Sequence, residues 1–326
     1  MELNRRTFVR PKIVVSKCIE FDRCRWNGLI ISSELVQMLK PHVEFQPVCP
    51  EVEIGLGIPR DPIRIVAIKG HSRLVQPATD RDVSEIMLGF AKTFLDSVSV
   101  VDGFILKDRS PSCGIYNVKV FPSKEKSAPL GKGAGFFGGV VLKRFPDLPV
   151  EDEGRLTNFR IREHFLTKLY TFASFRELKT KGKMKDLVQF HAENKHLLMA
   201  YNQKELRVLG RIVANLDKRP LGDVFANYES YLHLAFAKAP RFTSNINVLM
   251  HGLGYFSKEL SSREKSYFLD TLEQYRLGKV PLSVPLGVLR SWNVRFENEY
   301  LAQQTFFEPF PVELMEITDS GKGRKL

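Results

Sequence analysis

Lys12-Ile13-Val14-Val15-Ser16-Lys17-Cys18 is the stretch that decides the fold. Its apolar run has strand length, and the chain leaves it through a polar turn into a cysteine. Working outward, residues 42–48 and 98–106 are short apolar or alternating runs of the same kind. Between these strands, 32–39 and 82–94 have helical spacing, with Ser32 or Ser33 and Asp80 placed to cap them. Strands that alternate with helices imply an α/β domain over residues 1–150, with a mainly parallel sheet and flanking helices.

Near Pro149 the texture changes. Phe159, Phe165, Leu166, Leu169, Tyr170 and Phe172 recur at helical spacing. Similar amphipathic stretches cover 184–200, 203–217, 221–237, 244–257, 261–277 and 285–300. Residues 155–320 therefore read as an all-α helical bundle domain. Residues 150–154, Val-Glu-Asp-Glu-Gly, read as the linker, and the Lys/Gly-rich tail after Asp319 is expected to be disordered. A chain of 326 residues suits two domains of this size.

Composition bounds the function classes. Apolar residues make up 43% and charged residues 26%, the balance of a soluble globular protein. No run of 18 apolar residues occurs, and the N-terminus lacks the apolar segment of a secretory signal. The expectation is a cytoplasmic protein with reduced thiols and no membrane partner. The formal net charge is +12, with 22 Lys/Arg against 16 Asp/Glu in residues 1–150 and 27 against 21 in the rest. A basic balance shared by both domains suits a polyanion that touches both.

The chemistry lies in the cysteines. Cys18, Cys49 and Cys113 each follow an expected strand, within Ser16-Lys17-Cys18, Cys49-Pro50-Glu51 and Ser110-Pro111-Ser112-Cys113-Gly114. In a parallel sheet all three fall at the carboxyl edge, where such folds build their sites. A single cysteine is ordinarily a small buried hydrophobe; three in polar turns after strands read as ligands. Three thiolates suit a zinc site with an open position or a 4Fe-4S cluster with one free iron, and residue physics alone leaves both open.

These segments, with Cys24-Arg25-Trp26-Asn27-Gly28, Pro47-Val48-Cys49-Pro50-Glu51-Val52 and Gly55-Leu56-Gly57-Ile58-Pro59-Arg60, resemble the thiouracil desulfidase family over nearly all of residues 10–145. The helical half, through Phe190-His191-Ala192-Glu193-Asn194-Lys195, Gly278-Lys279-Val280-Pro281-Leu282 and Gln304-Thr305-Phe306-Phe307-Glu308-Pro309-Phe310-Pro311, resembles the domain that accompanies this module in tRNA 4-thiouridine desulfidases. Where many members carry Leu-Leu-Gly after the first cysteine, this chain has Ile19-Glu20-Phe21-Asp22.

The resemblance implies a 4Fe-4S cluster on Cys18, Cys49 and Cys113 with one open iron. It also implies non-redox desulfuration of 4-thiouridine in tRNA to uridine, with release of hydrogen sulfide. Cys24 falls where the motif does not require cysteine. Glu51, two residues from a ligating cysteine, is the expected base for the attacking water. Ser110 and Ser112 are expected to hydrogen-bond that base or the thio group. Arg25, Arg60, Lys107, Asp108 and Arg109 flank the site without assigned roles. Lys179, Lys181, Lys183, Lys185, Arg207, Arg211, Lys218 and Arg219 are expected to meet the tRNA backbone. Three alternatives stand beside this: a desulfidase of free thiouracil, a non-catalytic zinc-containing RNA-binding protein, and a sulfur-transfer enzyme of tRNA thiolation.

Other signals carry less. Gly131-Lys132-Gly133-Ala134-Gly135 lacks the terminal Lys-Ser/Thr of a phosphate loop and reads as a turn before a helix at 136–144. His191 and His196 are five apart and do not share a helix face as a zinc pair would. His251 reads as a packing or capping residue. Phe306, Phe307 and Phe310 read as bundle core.

Overall fold

A computed structural model describes residues 6–315; the tail expected to be disordered lies outside the described residues. Two units divide the chain. Among the described residues, Phe8–Ala173 and 310–315 form one, and Ser174–Pro309 with 6–7 form the other.

The first unit contains, in order, β1 (Lys12–Ser16), α1 (Glu34–Leu39), β2 (Glu44–Val48), α2 (Pro50–Glu53), β3 (Arg64–Ile68), β4 (His71–Gln76), β5 (Arg81–Asp82), α3 (Ser84–Ser97), β6 (Gly103–Leu106), β7 (Val118–Phe121), β8 (Gly131–Gly133), α4 (Phe136–Arg144) and β9 (Val150–Asp152). It also holds the start of α5 (Phe159–Lys181). Four strands form an all-parallel sheet in the order β2-β1-β6-β9.

The apolar run of β1 explains itself here. Ile13 and Val15 pack with Leu35, Val36 and Leu39 of α1, and with Ile161, Phe165 and Leu169 of α5. Val14 points the other way, into Met87, Ala91 and Leu95 of α3 and Phe137 and Val141 of α4. In β6, Ile105 joins the first core while Phe104 and Leu106 join the second. A strand covered on both faces needs an apolar residue at every position, which is why alternation is absent. Each of these fully buried side chains contributes about 1.5–3 kcal/mol.

The strand order places the site. The chain moves outward from β1 to β2, then returns to lay β6 on the other side of β1. The crevice outside the carboxyl ends of β1 and β6 is therefore the topological switch point of the sheet.

A second, mixed sheet, β5-β4-β3-β7-β8, has no counterpart in the sequence reading. Its β3–β4 hairpin closes through Lys69-Gly70, both at positive φ, as a two-residue turn requires. Gly131-Lys132-Gly133 is not a turn: it is β8, paired antiparallel with β7.

Residues 150–154 are likewise not a linker. Val150 and Asp152 are buried and pair with Phe104 and Leu106, so this segment completes the parallel sheet as β9. The first half of α5 then covers the sheet with Phe165 and Leu169. The units accordingly divide at residues 173 and 174 rather than at 150–155.

The second unit takes the rest of α5, then α6 (Met184–Glu193), α7 (Lys195–Tyr201), α8 (Gln203–Ala214), α9 (Leu221–Ala235), α10 (Phe242–Phe256), α11 (Ser262–Arg276), α12 (Ser283–Phe296) and α13 (Glu299–Ala302). Asn202 caps α8 by accepting from the Lys204 and Glu205 amides, and Ser261 with Glu264 forms a capping box on α11. Phe175 stacks on Tyr228 with ring centroids 5.4 Å apart. Phe306 is buried, as expected of bundle core, but Phe310 belongs to the core of the α/β unit instead.

Candidate functional site

The three cysteines stand where the strand order puts them. Cys18 lies two residues beyond β1, Cys49 immediately after β2, and Cys113 on the loop after β6. Cys49 is also the N-cap residue of α2, with Pro50 at the first helical position. Its thiol lies 3.7 Å from the Cys24 carbonyl oxygen. Cys24 has no assigned place in the sequence motif, yet its thiol is buried and near enough to those of Cys18 and Cys49 to feel both.

Proton affinity follows from this crowding. Contact with Cys18, reinforced by burial, pushes the Cys24 thiol up to about 11. Cys49 is raised further, first by its bond to Cys24 and then by burial. Burial pushes Cys113 up to about 12, against the opposing pull of the Ser16 and Ser112 hydroxyls. By themselves these thiols hold their protons at neutral pH; a cationic group would displace them.

Thiols on neighbouring loops are soft donors of the kind that an iron–sulfur cluster takes. Among the described residues, no three His, Cys, Asp or Glu side chains converge as ligands of a single metal do. The thiolates of a 4Fe-4S cluster each take a different iron, so its donors need only border a common volume. Cys18, Cys49 and Cys113, on three loops at one sheet edge and largely withdrawn from water, can do that.

Beside the thiols runs a hydroxyl–carboxylate relay. Ser110 and Ser112 share a hydrogen bond of 2.8 Å, and Ser112 Oγ donates to Glu51 Oε1 at 2.5 Å. Ser110 Oγ also accepts from the Ser112 and Cys113 amides at 3.3 and 3.2 Å. The second Glu51 oxygen takes a hydrogen bond from Arg60 Nε at 2.8 Å. Arg60 further donates to the Cys24 and Gly57 carbonyls at 3.0 and 2.9 Å. Its side chain is 4% exposed and that of Glu51 12%, so this is a nearly buried ion pair. Arg60 is thus separated from its flanking neighbours: Lys107 pairs with Glu153 and Arg109 with Asp108.

The Ser110–Gly114 loop is held from below by α4. Its carbonyls accept the otherwise unpaired amides at that helix start: Phe136 to Pro111, Phe137 and Gly138 to Ser112, at 2.9–3.0 Å. Glycine is required for this approach. A Cβ at Gly135 would stand 2.5 Å from the Ser112 oxygen, and one at Gly138 would stand 2.5 Å from that of Cys113. The glycine-rich run thus serves the cysteine loop, a role its spacing did not reveal.

A cavity of about 540 Å³ is lined by Arg109 and Pro111 of this loop region with Pro62, Ile63, Arg64, Lys119 and Phe121. That volume is ordinary for a small-molecule site.

Residues 13–153 match the family described as 2-thiouracil desulfurase. The chain is 36% identical over 115 residues to the uncharacterized protein YbbK of Bacillus subtilis (strain 168), a match covering 32% of this chain and 76% of that protein. The chain belongs to the 2-thiouracil desulfurase family. Residues 195–311 match a second family, described as a protein of unknown function (DUF1722). Identity to the uncharacterized protein YbgA of Escherichia coli (strain K12) is 27% over 164 residues, covering 50% of this chain and 96% of that protein. A solved structure of a 4Fe-4S-dependent thiouracil desulfidase, TudS, is 26% identical, covering 45% of this chain and 93% of that one, with a TM-score of 0.34. So low a score carries no weight for the fold, which rests here on the strand order.

The cations expected to meet RNA all lie in the helical unit. Lys181, Lys183, Lys185, Arg207, Arg211 and Lys218 are exposed. Lys179 and Arg219 are exposed too, but pair with Glu229 and Asp217. The histidines have structural partners: His191 meets the Tyr228 hydroxyl at 3.1 Å and His196 meets Gln304 Oε1 at 2.7 Å. Among the described residues, no helix is long and apolar enough to cross a membrane.

Proposed function

We propose that this protein hydrolyses the carbon–sulfur bond of 4-thiouridine in tRNA, taking up water, leaving uridine in the tRNA and releasing hydrogen sulfide without net electron transfer. The observation that carries the reading is the junction of two devices at one sheet edge. A Ser110–Ser112–Glu51 relay lies beside Cys113, and Cys18 and Cys49 follow the neighbouring parallel strands β1 and β2.

In this reading Cys18, Cys49 and Cys113 hold a 4Fe-4S cluster. When bound, it supplies a soft Lewis-acidic iron for the thiocarbonyl sulfur. The chain's own groups do the proton work. Glu51 takes a proton from the attacking water. Arg60 fixes the carboxylate from its far side, leaving Oε1 toward the serines. Ser112 gives Glu51 a hydrogen bond that orients it, and Ser110 holds Ser112 and the Cys113 amide in register. The exposed cations of the helical unit support a polyanionic substrate.

The family description supports a second reading, in which the free base 2-thiouracil is the substrate. The two separate in one competition. Anaerobically reconstituted protein receives tRNA containing 4-thiouridine together with free 2-thiouracil, and both are quantified over time. Preferential loss of 4-thiouridine supports the tRNA reading. Consumption of the free base alone would sink it.

A further inference from the structure

An exposed indole sits two residues from Cys24, on a loop tied to the Arg60–Glu51 pair. Trp26 is 46% exposed, and Ile58, two residues before Arg60, is 43% exposed. Large apolar groups left in water beside a polar site are informative in a way that scattered surface leucines are not. The backbone beneath the indole is firmly held. The Gly28 amide donates to the Arg25 carbonyl at 2.9 Å, with Gly28 at a φ of +70°, closing a tight turn that carries Trp26 at its tip. The Arg60 amide donates to the Trp26 carbonyl at 2.8 Å. One residue, Arg60, thus ties the Trp26 loop, the Ile58 loop and Glu51 together.

The loop is also cationic. Arg23 is exposed and Arg25 half-buried, on either side of Cys24. An exposed indole on a hydrogen-bonded turn, flanked by arginines, suits a chain that alternates aromatic rings with anionic phosphates. A free pyrimidine offers one ring and no phosphate, so it would leave the flanking arginines without a partner.

We infer that Trp26 stacks on the nucleobase adjacent to the reacting one in an unstacked RNA segment, with Arg23 and Arg25 against the flanking phosphates. The inference rests on the desulfidase reading only for the identity of the neighbouring base. Stacking itself needs no thio group and no turnover.

The test uses intact, anaerobically reconstituted protein and an unmodified tRNA transcript, which is bound but not consumed. The protein has two tryptophans, and Trp292 is 7% exposed in the helical unit. The difference in emission between wild type and Trp26→Phe therefore isolates Trp26. The transcript is expected to quench that difference signal, and uracil to leave it unchanged. Trp26→Leu should weaken transcript binding about 5- to 150-fold, the range found for loss of one stacked base, while Trp26→Phe retains most of the affinity. Unchanged Trp26 emission on transcript binding would overturn the inference. Wild-type affinity in Trp26→Leu would do so too, because a merely apolar contact survives that change. Sedimentation that reveals a dimer broken by Trp26→Leu would assign the exposed indole to a second copy of the chain instead. Failure of desulfuration with quenching intact would remove the enzymatic reading and leave the stacking site standing.

Discussion

Replacing Glu51 with Gln separates the chemistry of the relay from its architecture. The amide is isosteric and keeps an acceptor for either Arg60 or Ser112, but it cannot take a proton from water. Removing one partner of a buried ion pair costs about 3–5 kcal/mol when the other is left bare. Arg60 is not left bare, since its guanidinium keeps the Cys24 and Gly57 carbonyls at 3.0 and 2.9 Å. The expected loss of stability is therefore nearer the value of one charge-assisted hydrogen bond, about 1.5–3 kcal/mol. Loss of a general base slows turnover about 10²–10⁴-fold, equivalent to about 3–5 kcal/mol in the barrier. The assay pairs urea unfolding with turnover of 4-thiouridine-containing tRNA at matched iron content. Arg60→Gln serves as the comparison, because it breaks the same pair yet leaves the carboxylate in place. Glu51→Gln turning over within tenfold of wild type at full iron content would refute the assignment. So would an equal activity loss in both variants, which would make the pair architectural.

Other consequences follow from particular contacts. Cys49→Ala and Cys113→Ala should each abolish stable cluster incorporation, measured as iron and sulfide per chain, whereas Cys24→Ala should retain most of it; equal loss in all three would make Cys24 a ligand. Gly138→Ala drives a methyl to 2.4 Å from the Gly114 carbonyl oxygen and should cost about 1–3 kcal/mol in thermal unfolding, with reduced iron content. Normal stability in that variant would show that the cysteine loop yields freely. Burial, aided by the charges of Asp108, Glu153 and Glu151, pushes Asp152 up to about 6 from its ordinary 3.8. A raised carboxyl favours the folded state while protonated, so its contribution is full below about pH 4 and lost as pH rises through about 6. Asp152→Asn should therefore unfold at higher urea than wild type at pH 8, by up to about 3 kcal/mol, with the difference vanishing near pH 4. A pH-independent difference would contradict that origin.

Much of this architecture was legible from residue order. Strands covered on both faces advertise themselves as unbroken apolar runs, and Ile13, Val14 and Val15 did so. The helices of the second unit announced themselves through sustained apolar spacing over long segments. The mixed sheet was hidden because its strands are short and partly polar: His71-Ser72-Arg73 and Gly131-Lys132-Gly133 carry no apolar period. The segment at 150–154 looked like a linker because three acidic residues and a glycine outweigh Val150 by composition. Only pairing with β6 shows that Asp152 is buried there.

The site was half visible. Strand ends can be read from sequence, so Cys18, Cys49 and Cys113 could be placed on one edge. Adjacency to cysteines also brought out Glu51, Ser110 and Ser112. The partner that organises Glu51 could not be ranked, because Arg60, Arg25, Lys107 and Arg109 are equivalent as isolated cations and only side-chain direction distinguishes them. The glycines that admit the cysteine loop to the start of α4 gave a signal, but a misleading one. A run of small residues reads equally as a phosphate loop, a turn or a close approach of backbones.

Hydrolysis has an isotopic signature that tests the central claim most directly. Reconstituted protein is given 4-thiouridine-containing tRNA in oxygen-18 water, without any reductant, and the digested nucleosides and released sulfide are measured. Hydrolysis predicts uridine carrying the heavy oxygen, one sulfide for each 4-thiouridine lost, and neither product with Cys113→Ala. Loss of 4-thiouridine only when a reductant is added, or uridine without the heavy oxygen, would contradict it.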